Sequence, residues 1–336
     1  MLNRVSALCT DFGAPKEGQN AKLGLFTVLF LAIAVAAGHA QVLLVVPIEP
    51  PARVVDTNRV EADFYDVPMS SIFSMERRYH ASSFEVTTQF ISVVSDSRLV
   101  RLLAALKRRN ITFSVAALPL SGRGGCGAGV EGFSAPLTMQ TISNRVEKTG
   151  HNIDYLVMDE PLWYGRYYSG KSSCQLSVAE ILRDISPKLA AVRHIFPSIA
   201  FGDIEPVGAT GVAHWELKLI EWLESYKVVM GQPLDSFRAD IQWQGDWERQ
   251  IKILRNYLHH EGIKLSIIIN GDPTDDSDVS WVRRAQARRA KIELDPDLVP
   301  DQFVVQTWDH HPTRNLPEDE PGTLMWLAKL GLCRPH

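Results

Sequence analysis

The chain predicts a parallel α/β barrel, a single (β/α)8 domain behind an N-terminal segment, and three observations carry that expectation. Short apolar runs alternate with stretches of helical period, the pattern of successive βα units. The runs break off in acidic or aromatic residues, at Asp159-Glu160-Pro161, Asp203-Ile204-Glu205-Pro206, Asp240-Ile241-Gln242-Trp243, Asn270-Gly271-Asp272 and Thr307-Trp308-Asp309. A length of 336 residues suits one barrel, which needs roughly 250. Barrel enzymes keep their chemistry where the strands end, so those endings are the candidate site.

Taken in order, the first 40 residues stand apart. Lys22 precedes the apolar run 23–38, which closes on Gly38-His39-Ala40. A positive flank, an apolar core and a small residue read as a signal peptide over 1–40 with cleavage after Ala40. The run nearly reaches the ~18 residues of a membrane span, so an uncleaved anchor is the rival reading and the one route to a membrane. Residues 41–336 are then the barrel. Seven strands read clearly, at 84–91, 111–117, 154–158, 198–204, 236–242, 264–269 and 303–308; the eighth falls at 42–46 or within 60–75. Helical period covers 96–109, where Lys107, Arg108, Arg109 and Asn110 make a stop signal. It recurs at 138–148, 178–195, 214–229, 247–261 and 278–291. An open doubly wound sheet is the alternative, but Gly122 to Gly127 matches neither a dinucleotide fingerprint nor a phosphate loop.

Composition narrows the function. The chain is 45 % hydrophobic and 22 % charged with a net charge of −4, which offers no electrostatic reason to bind nucleic acid or an anionic membrane. No cofactor fingerprint and no G-x-S-x-G elbow is present. The adjacent pairs His259-His260 and His310-His311 point apart on any regular backbone, so no metal site is expected. Export would remove Cys9 and leave Cys126, Cys174 and Cys333. Cys126 and Cys174 both lie in loops that follow strands and so share one barrel face, which makes them the expected disulfide.

Glycosidic cleavage needs two carboxyl groups, one to protonate the leaving oxygen and one to serve as nucleophile or base. Glu160 is the candidate acid, since Trp163 and Tyr164 beside it lower the local dielectric and raise its pKa. Glu205 stands in the same place one strand later, and Asp240 is the other candidate partner. Sugar rings stack on flat side chains, so Trp163, Tyr164, Trp243 and Trp308, with Tyr167, Tyr168 and Trp247, are candidate subsites, joined by the polar Asp159, Asp203 and Asn270. The bland reading gives these residues caps, ion pairs or the upper layer of the core; for Trp215 and Trp222, inside an amphipathic helix, it is the preferred one.

Through Met158-Asp159-Glu160-Pro161, Gly202-Asp203-Ile204-Glu205-Pro206, Ala239-Asp240-Ile241-Gln242-Trp243 and Gln306-Thr307-Trp308, the chain resembles the glycoside-hydrolase superfamily of (β/α)8 barrels, in particular its uncharacterised secreted bacterial members, over roughly residues 84–330. The resemblance implies a secreted or periplasmic hydrolase acting on an oligo- or polysaccharide. Two departures accompany it: Asp159 precedes Glu160 where the large retaining clan has Asn, and only Asn270 and Asp272 follow the seventh strand, where that clan has a nucleophilic Glu. A barrel that binds carbohydrate without cleaving it, or serves as an envelope protein, is the alternative.

Overall fold

The structure, a computed structural model, describes residues 42–47, 63–73 and 81–330. The N-terminal segment 1–40, Cys9 and Cys333 lie outside the described residues. Eight parallel strands close into a barrel: β1 (Val42–Val45), β2 (Ala81–Thr87), β3 (Thr112–Ala117), β6 (Tyr155–Asp159), β7 (Ala200–Gly208), β8 (Ser236–Gln242), β9 (Lys264–Ile269) and β10 (Gln302–Val305). Closure is made by β1, which lies between β10 and β2, with Val42 opposite Gln302 and Leu44 opposite Ser83. Two short strands, β4 (Leu120–Ser121) and β5 (Phe133–Ser134), pair outside the barrel on the connection between β3 and β6. The fold is a (β/α)8 barrel.

The eighth strand is therefore 42–45, and the described part of 60–75 folds into short helical turns that include Val67–Met69 and Ser71–Phe73. The strand expected at 84–91 is corrected as well. It ends at Thr87, whose hydroxyl accepts a hydrogen bond from the Phe90 N–H at 3.2 Å and so caps a new helix, α1 (Thr88–Val93). The side-chain oxygen satisfies an amide that the helix start leaves open, which decides against strand at that point. The remaining helices are α2 (Asp96–Arg108), α3 (Thr138–Glu147), α4 (Val178–Ile195), α5 (Trp215–Met230), α6 (Trp247–Glu261), α7 (Asp278–Glu293) and α8 (Leu324–Leu330). Among the described residues, no helix is long and apolar enough to cross a membrane.

Strand alternation divides the apolar residues into two cores. Leu44, Val46, Val157, Ile204, Ile268 and Val304 form a small cluster inside the barrel. Phe84, Phe113, Leu156, Phe201, Phe237, Leu265 and Phe303 face outward into a much larger layer under the helices. There α5 contributes Trp215, Leu219, Trp222, Leu223 and Tyr226, all buried. Each such side chain, fully buried, stabilises the fold by roughly 1.5–3 kcal/mol. Trp215 and Trp222 belong to this core, as their helical spacing indicates.

Polar groups fix register at both ends of the barrel. At the strand starts, Asp154, Asp235 and Asp301 each accept the backbone N–H of a neighbouring strand, from Phe113, Phe201 and Leu265, all at 2.8 Å. Midway up the interior, Arg238 makes two hydrogen bonds to Glu85 at 2.7 and 2.9 Å, and the Ser114 hydroxyl donates to the same carboxylate at 2.5 Å. Both ions are almost wholly removed from water, so breaking the pair would strand a buried charge at a cost of roughly 3–5 kcal/mol. This pair forms the floor beneath the upper cavity.

Candidate active site

Above the floor, the C-terminal ends of the strands enclose a cleft of about 740 Å³, lined by Asp159, Glu160, Asp240, Glu131 and the aromatic groups of Trp163, Tyr164 and Trp308, among others. Asp159 and Asp240 arrive by simple alternation, on the same strand faces as the interior Val157 and Arg238. Glu160 does not. By alternation it would follow Met158 outward, but its φ of +48° places it in the left-handed region and returns it to the cleft. That backbone costs a non-glycine residue roughly 1–2 kcal/mol. It is held by both peptide groups: the Glu160 N–H donates to the Ile204 carbonyl, and its carbonyl accepts from the Tyr164 N–H, each at 3.0 Å.

In the cleft the Glu160 and Asp240 carboxyl groups lie close enough to set each other's ionisation. Burial, then the charges of Asp240 and Asp159, pushes Glu160 well above the usual glutamate range. Asp240 is raised to about 7 by burial and by the charges of Glu131 and Asp309, and its contact with Glu160 offsets part of that rise. Asp159 is also raised to about 7, by burial first and the Glu131 charge second. Arg238 is the nearby cation, but Glu85 occupies both of its terminal nitrogens. Asp240 is thus paired with an acid, and the ion pair considered for it belongs to Arg238 and Glu85.

Other expected members of the site lie elsewhere. Asp203 and Glu205 share the outward parity of Phe201 and Val207 and are fully buried between barrel and helices. Glu205 accepts the backbone N–H groups of Leu162 at 2.6 Å and Trp163 at 3.0 Å. It thereby caps the chain entering the helical turn Trp163–Tyr167. Burial and the Asp203 charge raise its pKa, and the two N–H groups oppose the rise. Asp203 accepts from the Trp222 indole at 2.7 Å, and its second oxygen has no partner. The pairing of Glu160 with Glu205 is thereby corrected: strand spacing brings their backbones together, but pleating sends the side chains to opposite faces. Trp243 and Asn270 also do not line the cleft. The Trp243 indole donates to Asn270 Oδ1 at 2.6 Å, and the Arg288 guanidinium stacks over the same ring at 4.7 Å. Trp247 is buried beside Trp243, and Tyr167 packs edge-on against Trp215. Trp308 is 56 % exposed at the rim, an open flat face.

Two further residues in the cleft were not among the expected site residues. Gln306 places a buried carbonyl oxygen there that has no protein partner. Glu131 comes from the loop between β4 and β5, where no strand ending marks it. That loop is tied down by the expected disulfide, which joins Cys126 to Cys174 with their Cα atoms 5.0 Å apart. Among the described residues, no group of three or more His, Cys, Asp and Glu side chains is placed to hold a metal ion.

No family model matches the chain, and no curated protein matches it. Solved structures share the barrel at low similarity. The GH53 catalytic domain of Ignisphaera aggregans is 11 % identical, with a TM-score of 0.46, over 84 % of this chain and 88 % of that one. GH10 from Paenibacillus barcinonensis is 12 % identical, with a TM-score of 0.46, over 81 % and 86 %. An HpcH/HpaI aldolase from Desulfitobacterium hafniense is 10 % identical, with a TM-score of 0.40, over 82 % and 90 %.

Proposed function

We propose that the protein hydrolyses a glycosidic bond of an oligo- or polysaccharide in this cleft, with Glu160 as the proton donor. The observation that carries the reading is the crowding of three carboxyl groups, Glu160, Asp240 and Asp159, in one cleft with the rings of Trp163, Tyr164 and Trp308. A glycosidase acid must still be protonated when substrate arrives, and burial beside a second carboxyl achieves that. The open indole of Trp308 and the partnerless carbonyl of Gln306 suit a ligand with apolar ring faces and hydroxyl donors. Asp159, Trp163 and Tyr164 complete the wall as substrate contacts. Export with loss of residues 1–40 belongs to the same proposal, supported by a disulfide that suits an oxidising compartment.

The test separates chemistry from architecture. Glu160→Gln keeps shape and polarity but has no proton to give. Hydrolysis of unactivated oligosaccharides should fall by roughly 10²–10⁴-fold, while dinitrophenyl glycosides, whose leaving group needs no proton, should be cleaved at close to the original rate. Equal losses on both substrate classes, or none on either, would rule Glu160 out as the acid.

A second reading, a barrel that binds carbohydrate without cleaving it, is favoured by one specific feature. Glycosidic cleavage needs two carboxyl groups. Glu205, the strand-end glutamate expected to partner Glu160, faces away from the cleft and is held by the Leu162 and Trp163 amides. Hydrolysis therefore requires a carboxylate from another part of the cleft.

A further inference from the structure

We infer that Glu131 is that second carboxylate, the base that takes a proton from the attacking water, and that Tyr164 positions it. The inference rests on the glycosidase reading above and supplies the carboxylate that reading still needs. Glu131 lines the cleft but lies on no barrel strand. Its Oε2 accepts a hydrogen bond from the Tyr164 hydroxyl at 2.6 Å. Its Oε1 makes no hydrogen bond among the described residues, which leaves a carboxylate lone pair available to water.

The backbone shows why the loop comes this close. Gly132 has φ +81°, and a Cβ built there would lie 2.9 Å from the Tyr164 Cβ and 3.4 Å from the Asp159 carbonyl oxygen. The chain next to Glu131 therefore rests directly on the segment that carries Asp159, Glu160 and Tyr164. Only glycine allows both that dihedral and that approach. The loop is braced further along by Cys126–Cys174, by the Gly127 N–H donating to the Ser172 carbonyl at 2.7 Å, and by the Leu120 N–H donating to the Gly132 carbonyl at 2.9 Å. The charges report the same proximity: after burial, Glu131 is the largest influence raising both Asp159 and Asp240.

In the step this arrangement supports, a water oxygen bonds to the anomeric carbon while its proton passes to Glu131 Oε1. The glycosidic C–O bond breaks, and its electron pair stays on the departing oxygen, which takes the proton held by Glu160. The products are a sugar hemiacetal and an alcohol, and exchange with solvent returns a proton to Glu160 and removes one from Glu131. Direct displacement by water inverts the anomeric centre.

The experiment compares wild type, Glu131→Gln, Glu160→Gln and Tyr164→Phe on a panel of dinitrophenyl glycosides and the matching unactivated oligosaccharides. Glu131→Gln should lose roughly 10²–10⁴-fold in kcat/KM on both classes, with the melting temperature and the calorimetric binding of an oligosaccharide unchanged. Tyr164→Phe should lower kcat with little change in KM, and its effect should largely vanish in the Glu131→Gln background, a non-additivity that a merely structural tyrosine would not produce. Nuclear magnetic resonance of the first-formed product should show inversion, a readout independent of any variant's folding. Wild-type turnover by Glu131→Gln, a loss confined to unactivated substrates, or retention of configuration would each overturn the role of Glu131, even with Glu160 upheld by its own leaving-group signature. Absence of turnover by wild type across the whole panel would instead overturn the glycosidase reading, and with it the assignment of a base.

Discussion

Glu160 and Glu205 look alike in the sequence, each a carboxylate at a strand ending before proline, and the structure sets them on opposite sides of the barrel wall. The separating rule is elementary. Counting by twos from the outward Phe201 puts Asp203 and Glu205 outside the barrel, where Trp222 and the amides of Leu162 and Trp163 take them up. That much was open to the sequence once β7 was in register. What no count reveals is the left-handed turn at Glu160, which breaks alternation and brings an outward residue back into the cleft. Asp240, by contrast, was readable from parity with Arg238. Glu205→Ala tests the division. Two amides would lose their acceptor, and the buried one, Leu162, alone costs roughly 1–3 kcal/mol, so denaturant unfolding should show a marked loss of stability. The surviving folded fraction should keep turnover far closer to wild type than Glu160→Gln does on unactivated substrates. A stable Glu205→Ala protein with turnover as low as that variant would return Glu205 to the chemistry.

Among the elements, the helix at 96–108 and the barrel strands from β3 onward follow the sequence to within a few residues, because long periodic segments leave little choice. The misread stretch is 84–91, where an apolar run continues across Thr87 although the backbone changes state there; a single hydroxyl cap outweighed the pattern. The connection between β3 and β6 was harder still. Its glycines signalled a loop and its cysteine a bond, but β4 and β5 are only two residues each, too short for any period to show. This connection forms one wall of the cleft and carries Glu131. The double substitution Cys126→Ser, Cys174→Ser releases a cross-link that spans 48 residues, and should lower stability by roughly 2–4 kcal/mol. If the wall positions Glu131, kcat should fall further than the loss of folded protein explains, measured with active molecules counted separately. Unchanged kcat per folded molecule would show that the loop holds its place without the bond.

For the whole molecule, the (β/α)8 architecture was legible because seven clear apolar runs, five of them with acidic or aromatic endings, alternate with helical period and leave few alternatives, and the uncertain strand, 42–45, proved to be the one that closes the ring. Export is the prediction at this scale. Sequencing the amino terminus of the protein recovered from outside the producing cell should begin near Gln41; recovery of the full-length chain only in the membrane fraction would mean that the apolar run stays as an anchor. A chain that emerges amino end first also meets a constraint set by the ion pair beneath the cleft. Glu85 enters beside Ser114 early, whereas Arg238 follows 153 residues later. Until the sixth strand of the ring is in place, that carboxylate has no guanidinium partner, and burying it alone would cost several kcal/mol. The contact that insulates the finished cavity thus ties a dry interior to the presence of most of the ring.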